Sequence, residues 1–334
     1  MDLVLKREKQ DLFKRSLFVG LALILSYLAI TVISFVITTF LYASGYDRNQ
    51  ISLIYNDDYY GYFLNSAILC IAMIFPLLLI KCATKEPVHI TAKFKKPNKF
   101  WFLAIFFALG MAMIANYATG VFDQLLENIF DFKAVQPEIG DNVYENSFEW
   151  AFAIVNVAII PALIEEFAFR GMILGSLRKY GDTPAIIVSA LLFAFYHQNF
   201  VQIPFAFIVG IALGILFVVT DSIWTCIIAH FLNNAFALLL NDISKTMLFT
   251  AIIIMLSILI IGIFSFVFLK RIGAFKKLNS QKTNLSNTSK LFRMLFNPTI
   301  IIFIVGMCYL SLSYRAWKYG LWNLYETSLD SCES

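Results

Sequence analysis

Two adjacent carboxylates, Glu165 and Glu166, and a guanidinium, Arg170, stand inside the apolar run IIPALIEEFAFRGMIL, from Ile159 to Leu174. Two of the three histidines, His197 and His230, also fall within or at the end of apolar stretches, and Asn234 follows His230 by four residues. In lipid, an ionisable side chain costs at least ~2.5–3.5 kcal/mol, so such groups are retained for a site, an ion path or a structural pair. Helical spacing assigns partners. Glu166 and Arg170 are four apart with the acid nearer the N-terminus, the favoured order for an ion pair, so Arg170 most simply neutralises Glu166. Glu165 points about 100° round the helix and has no cation at i+3 or i+4. It must meet a partner on another helix or be destabilised as an anion by burial. A carboxylate in that condition beside a histidine is what a general base requires. His230 and Asn234 share one face of their helix, as Phe193 and His197 share one face of theirs.

The elements that hold these groups are read from composition. The 334 residues are 60% hydrophobic, include 34 Phe, and are only 14% charged, which strains a soluble globular reading. Apolar stretches long enough to cross a ~30 Å hydrocarbon core recur along the chain. Nine candidates lie near 17–43, 61–80, 100–122, 148–177, 183–198, 201–220, 222–241, 246–270 and 297–314. The fold class is therefore all-α: a polytopic transmembrane bundle of about 8–9 spans. Residues 1–147 form an N-terminal region of about three spans, 148–241 a four-helix core with the polar set, and 242–334 a C-terminal region.

Charge orients the bundle, because Lys and Arg in short loops stay cytoplasmic. Residues 1–16, 81–99 and 271–295 carry five, six and six basic groups against three, one and no acids. The loops 45–60 and 123–147 are acidic and alternate with the basic ones. That pattern predicts a cytoplasmic N-terminus, an external C-terminus and a net charge of +4 that reflects topology and not nucleic-acid affinity. The first apolar run has no small-residue cleavage pattern and reads as an uncleaved anchor. The stretch 271–295, rich in Ser, Asn and Lys, reads as a flexible basic cytoplasmic linker. His89, in the basic loop EPVHITAKFKK, reads as a solvated surface residue.

Five cysteines (70, 82, 226, 308 and 332) show no C-x-x-C, so neither a disulfide framework nor a zinc knuckle follows, and only Cys332 is expected outside. Asp182-Thr183-Pro184, Asp221-Ser222 and Asp242-Ile243-Ser244 mark helix starts and cut the second half into tight hairpins. Gly210 and Gly214 form a G-x-x-x-G that predicts close helix packing. At 1.5 Å per residue, Glu165 lies ~20 Å and His230 ~12 Å from the cytoplasmic ends of their helices, and His197 reaches a depth near that of Glu165. The three are expected to meet near mid-membrane in a water-accessible cavity.

The ordered motifs EEFAFRG at 165–171 (E-E-x-x-x-R), FAFYH at 193–197 (F-x-x-x-H) and HFLNN at 230–234 (H-x-x-x-N) resemble the CPBP family, also called Abi. That family comprises CAAX proteases and bacteriocin-processing enzymes, related to the type II CAAX prenyl endopeptidases. The resemblance covers about 148–240. It implies an intramembrane endopeptidase that works without a covalent intermediate. Glu165 and His197 would then activate the attacking water, His230 and Asn234 would stabilise the oxyanion, and Glu166 and Arg170 would support the site. Peptide hydrolysis needs a deprotonated water and donors aimed at the developing oxyanion, which this set supplies without a Ser or Cys nucleophile.

No cofactor is expected to be required. Zinc stays open as an alternative, with Glu165, His197 and His230 as three ligands and water as the fourth. The expected partners are membrane lipids and a prenylated CAAX-type or other membrane-delivered peptide, with no nucleic acid. The expected location, under the resemblance, is the plasma membrane of a bacterium. Two other readings stay open: a non-catalytic scaffold or bacteriocin-immunity protein of the same fold, and a proton-coupled transporter. No internal repeat of the kind many transporters show is visible.

Overall fold

A computed structural model describes residues 2–57, 59–130, 147–278 and 283–313, and these residues contain helices, turns and loops but no strand. The chain is all-α. In order the helices are α1 (Asp2–Ala43), α2 (Arg48–Asn56), α3 (Tyr60–Thr84), α4 (Val88–Ala92), α5 (Trp101–Phe130) and α6 (Ser147–Tyr180). They continue with α7 (Asp182–Tyr196), α8 (Gln202–Thr220), α9 (Ile223–Thr246), α10 (Leu248–Arg271), α11 (Asn287–Leu295) and α12 (Pro298–Ser313). Cys332 and most of the acidic loop 123–147 lie outside the described residues.

Seven of these helices are long and apolar enough to cross a membrane, and α11 with α12, bent by 63°, makes an eighth if the pair is one span. The remaining expected span, 183–198, the fifth along the chain, is α7, which has 15 residues. At 1.5 Å per residue it is ~22 Å long, short of a ~30 Å core. Its end is set by Gln198, whose φ of 52° is left-handed and cannot continue a helix. The turn 197–201 then leads into α8, which packs antiparallel against α7 and returns to the level where α7 began. The hairpin therefore keeps the alternation of loops while leaving His197 at a tip short of a full crossing.

The basic loops do gather at one end. Lys179 contacts Asp11, Arg15 reaches Glu86 at 2.9 Å, and Asn284 donates to Glu8 at 3.2 Å. The loop after α4 docks on the α8–α9 turn: Ser222 Oγ donates to the Lys95 carbonyl, Asn98 Nδ2 to the Val219 carbonyl, and Lys95 pairs with Asp221.

Packing is tightest where side chains are smallest, as expected where lipid removes the hydrophobic drive between helices. A Cβ on Gly210 would meet Ala190 Cα at 3.0 Å and one on Gly214 would meet Ile186 Cγ2 at 2.9 Å, so the G-x-x-x-G seats α8 on α7. A second close approach was not foreseen: a Cβ on Gly110 of α5 would lie 2.6 Å from Gly262 Cα of α10. Two apolar clusters result, one over α1, α3, α6, α7, α11 and α12, the other mainly over α5, α8, α9 and α10. The α6–α7–α8 group lies where they meet.

Two expectations are corrected. Asp242 is not a helix start but lies inside α9, which runs to Thr246; the break is at Met247, with φ −137° and ψ 62°. The stretch 271–295 is not a plain flexible linker. Ser286 caps α11 by accepting from Ser289 N–H, and Lys290 and Met294 are buried on its inner face. The apolar periodicity of LFRML at 291–295 carried that signal, masked by the surrounding polar residues. His89 is exposed, and Cys70, Cys82, Cys226 and Cys308 are free thiols.

Candidate active site

Helix α6 supplies the carboxylates, and its backbone is irregular on both sides of them. Ile154–Ile159 and Phe167–Leu174 are π-helical, with the α-helical turn Ile160–Glu166 between. Such widened turns are rare and often accompany function.

Glu166 is fully buried and its Oε1 is shared. Arg170 Nη1 donates to it at 2.6 Å, and His230 Nδ1 lies 2.8 Å away on α9. A carboxylate oxygen only accepts, so Nδ1 carries the proton in this bond. The i, i+4 pair foreseen from spacing is thus present, and it also fixes the ring of a histidine 64 residues further on. Arg170 is equally buried. Its Nη2 reaches the Gly210 carbonyl at 3.4 Å, and its guanidinium stacks 4.4 Å from the centre of the Phe193 ring.

Glu165 finds its partner across the helix interface. Its Oε2 lies 3.9 Å from His230 Nε2, too long for a direct hydrogen bond and short enough for one water oxygen to reach both. His230 therefore stands between the two carboxylates, with Nδ1 on Glu166 and Nε2 towards Glu165.

His197 sits at the C-terminal cap of α7. Its Nδ1 donates to the Phe193 carbonyl at 2.8 Å, which leaves Nε2 as the available nitrogen. Among the described residues it makes no hydrogen bond or ion pair with Glu165. The link between the two histidines is Phe193, whose ring meets His197 edge-on at 4.8 Å and His230 edge-on at 5.9 Å. His197 also lines an open cavity of about 700 Å³ with Tyr27, Gln198, Asn199, Gln202, Leu310 and Ser313. Asn234, one turn beyond His230, donates Nδ2 to the Val157 carbonyl at 3.3 Å, inside the first π-helical stretch.

All six site residues predicted from the sequence thus lie in or beside one seam between α6, α7 and α9. The three residues named as a metal alternative do not assemble as a ligand set. Among the described residues no group of three or more His, Cys, Asp or Glu side chains is placed to hold a metal ion. No step is therefore routed through a metal.

Sequence reasoning missed the residues that fasten the seam to the rest of the bundle. Ser189 Oγ donates to the Phe169 carbonyl at 2.8 Å, Tyr196 and Ser26 hydroxyls meet at 2.9 Å, and Ser66 Oγ donates to the Asn156 carbonyl at 3.2 Å. Isolated Ser and Tyr in apolar helices carry no periodic signal, so only contact identifies them. The polar pair Gln198-Asn199, which marks the cavity rim, was visible in the sequence as a break in hydropathy.

The family model for Rce1-like proteins, described as type II CAAX prenyl endopeptidase Rce1-like, matches residues 147–236, the span of α6 through most of α9. The membrane-embedded CAAX protease MroQ of Staphylococcus aureus (strain USA300) is similar: 30% identical over 173 residues, covering 49% of this chain and 67% of that protein. No solved structure matches the chain. With the buried Glu–Arg–His cluster carried by a polytopic helical bundle, this multi-pass integral membrane protein belongs to the CPBP family of membrane-embedded CAAX-type proteases.

Proposed function

We propose that the chain hydrolyses a peptide bond of a prenylated CAAX-type tail or another membrane-delivered peptide, by direct attack of water and without a covalent intermediate. The observation that carries this reading is the unequal use of the two carboxylates. Glu166 is committed to Arg170 and His230, whereas Glu165 faces His230 Nε2 across a gap of 3.9 Å and keeps its oxygens for chemistry.

In this scheme Glu165 takes a proton from the attacking water as its oxygen bonds to the scissile carbonyl carbon. His197, with Nδ1 held by Phe193, presents Nε2 to that water from the cavity side. The negative charge that develops on the carbonyl oxygen is met by His230 Nε2–H and by the second N–H of Asn234. With Nδ1–H on Glu166, a proton on Nε2 makes His230 an imidazolium, and then two cations balance two carboxylates in the cluster. Glu165 finally passes its proton to the leaving nitrogen as the C–N bond breaks, giving one carboxylate product and one amine product.

We place the protein in a bacterial plasma membrane with its N-terminus in the cytoplasm, as the basic loops on one face support. The test is cleavage of lipidated and unmodified candidate peptides by wild type, Glu165→Ala and His197→Ala in liposomes, with and without chelator. Loss in both variants, insensitive to chelator, is the expected result. Cleavage that survives Glu165→Ala overturns the scheme, and zinc-restored activity after chelation overturns its metal-free form.

A further inference from the structure

Pro161 stands four residues before Glu165 and has no N–H to donate. In α-helical register that N–H would have met the Val157 carbonyl. In the π register that Ile160 follows by donating to the Val155 carbonyl, it would have met Asn156. Those two carbonyls are the ones that receive donors from other helices: Asn156 from Ser66 Oγ of α3 at 3.2 Å, and Val157 from Asn234 Nδ2 of α9 at 3.3 Å. A missing backbone donor in a dry interior must be replaced, because an unpaired buried carbonyl costs about as much as a lost hydrogen bond. Here the replacements come from two sides and clamp the π-helical turn between α3 and α9.

The clamp bears on the chemistry through distance. Asn234 and His230 share one face of α9, and Val157 and Glu165 are eight residues apart on α6, so the Asn234–Val157 bond sets how closely α9 lies against α6. That spacing determines the 2.8 Å contact of His230 with Glu166 and the 3.9 Å gap to Glu165. Ser66 is buried and lies outside the 147–236 match.

We propose that Ser66 is a positioning residue of the site: it replaces, from α3, the donor that Pro161 removes, and thereby holds the turn that keeps Glu165 opposite His230. The kinetic consequence rests on the hydrolytic reading above; the positional one does not.

The experiment is a double-mutant cycle between Ser66→Ala and Pro161→Ala in the full chain, with Ser66→Thr as the conservative variant. Two readouts are followed, peptide-cleavage kinetics and NMR of isotope-labelled histidine. With three histidines in the chain, the imidazole signals of His230 are assigned by their loss in His230→Gln. Ser66→Ala is expected to shift the His230 signals while those of His89 stay fixed. It is also expected to lower kcat about three- to tenfold with KM little changed, the scale of one neutral hydrogen bond. Ser66→Thr restores both. When Pro161→Ala supplies the N–H at position 161, Ser66→Ala moves neither readout.

His230 signals and kcat that match wild type in Ser66→Ala overturn the proposal. So does an equal effect of Ser66→Ala with and without Pro161→Ala. If Ser66→Ala fails to fold, rescue of folding by Pro161→Ala supports the proposal and failure to rescue overturns it. If wild type cleaves no peptide, the hydrolytic reading falls while the His230 signals still decide the role of Ser66.

Discussion

Two helix contacts in this bundle solve the same problem by opposite means. Between α5 and α10 the backbones touch through Gly110 and Gly262, and Phe107 stacks on Phe266 with ring centres 5.8 Å apart. Between α6 and α9 the contact carries a buried Glu–Arg–His cluster and a side chain–carbonyl bond. In a bilayer, lipid tails are as apolar as the side chains they replace, so helices hold together by close packing and by polar bonds. The glycine contact needs nothing beyond packing. The charged seam costs desolvation that packing alone would avoid, and a buried ion pair is weak evidence for stability. The contrast separates a contact made by packing alone from one that carries a buried charged cluster.

That separation is open to direct attack. Glu165→Gln should lower kcat about 10²–10⁴-fold, the range of general-base catalysis, with little change in thermal midpoint, since among the described residues Glu165 has no direct hydrogen bond to lose. An equal loss of stability would make Glu165 a structural residue. Arg170→Met should damage both properties, because it leaves Glu166 buried and charged beside His230; breaking such a pair costs about 3–5 kcal/mol. Differential scanning fluorimetry in detergent checks this, and an unchanged midpoint would mean that the Glu166–Arg170 pair does not hold the fold.

Gly262→Leu is the mirror experiment. A side chain there must displace the Gly110 backbone, at a cost of about 1–3 kcal/mol for overpacking. The folded fraction should cleave peptide with wild-type kcat, and a fall in kcat would show that the two contacts are coupled.

The smallest effect belongs to Asp221, in the α8–α9 turn outside both contacts. Burial works to raise its pKa, but the hydrogen bond from Lys95 and the charges of Lys93, Lys95 and Lys277 outweigh it and hold the carboxyl below its usual value. A carboxyl lowered in the folded state stabilises above its unfolded pKa, and that contribution is lost as pH falls through the folded value. Acidification below about pH 4 should therefore loosen the turn in wild type but not in Asp221→Asn. For a partly exposed pair the difference is about 1 kcal/mol or less, readable by hydrogen exchange at residues 217–223.

Much of this was legible in the chain before folding. Apolar stretches and basic loops marked the spans and placed the basic loops at one end, because lipid demands about 20 apolar residues per crossing whatever the fold. Spacing alone paired Glu166 with Arg170 and left Glu165 over, since i, i+4 geometry is local to one helix. The bounds of α7 were legible to within two residues, but its 15 residues fall short of a full crossing, and the left-handed backbone of Gln198 that stops it is a conformation no hydropathy pattern encodes.

The amino-acid order by itself determined which residues are costly in a membrane, which of them are neighbours within a helix, and the polytopic all-α class. Tertiary structure decided that Glu166 orients His230 and that Glu165 faces the other ring nitrogen. It also decided that Phe193 stands between the two histidines, and that Ser66 and Asn234 donate to the Asn156 and Val157 carbonyls of α6. Pairings within a helix follow from a fixed 3.6-residue repeat, whereas pairings between helices depend on depth, rotation and close packing, which no local period encodes.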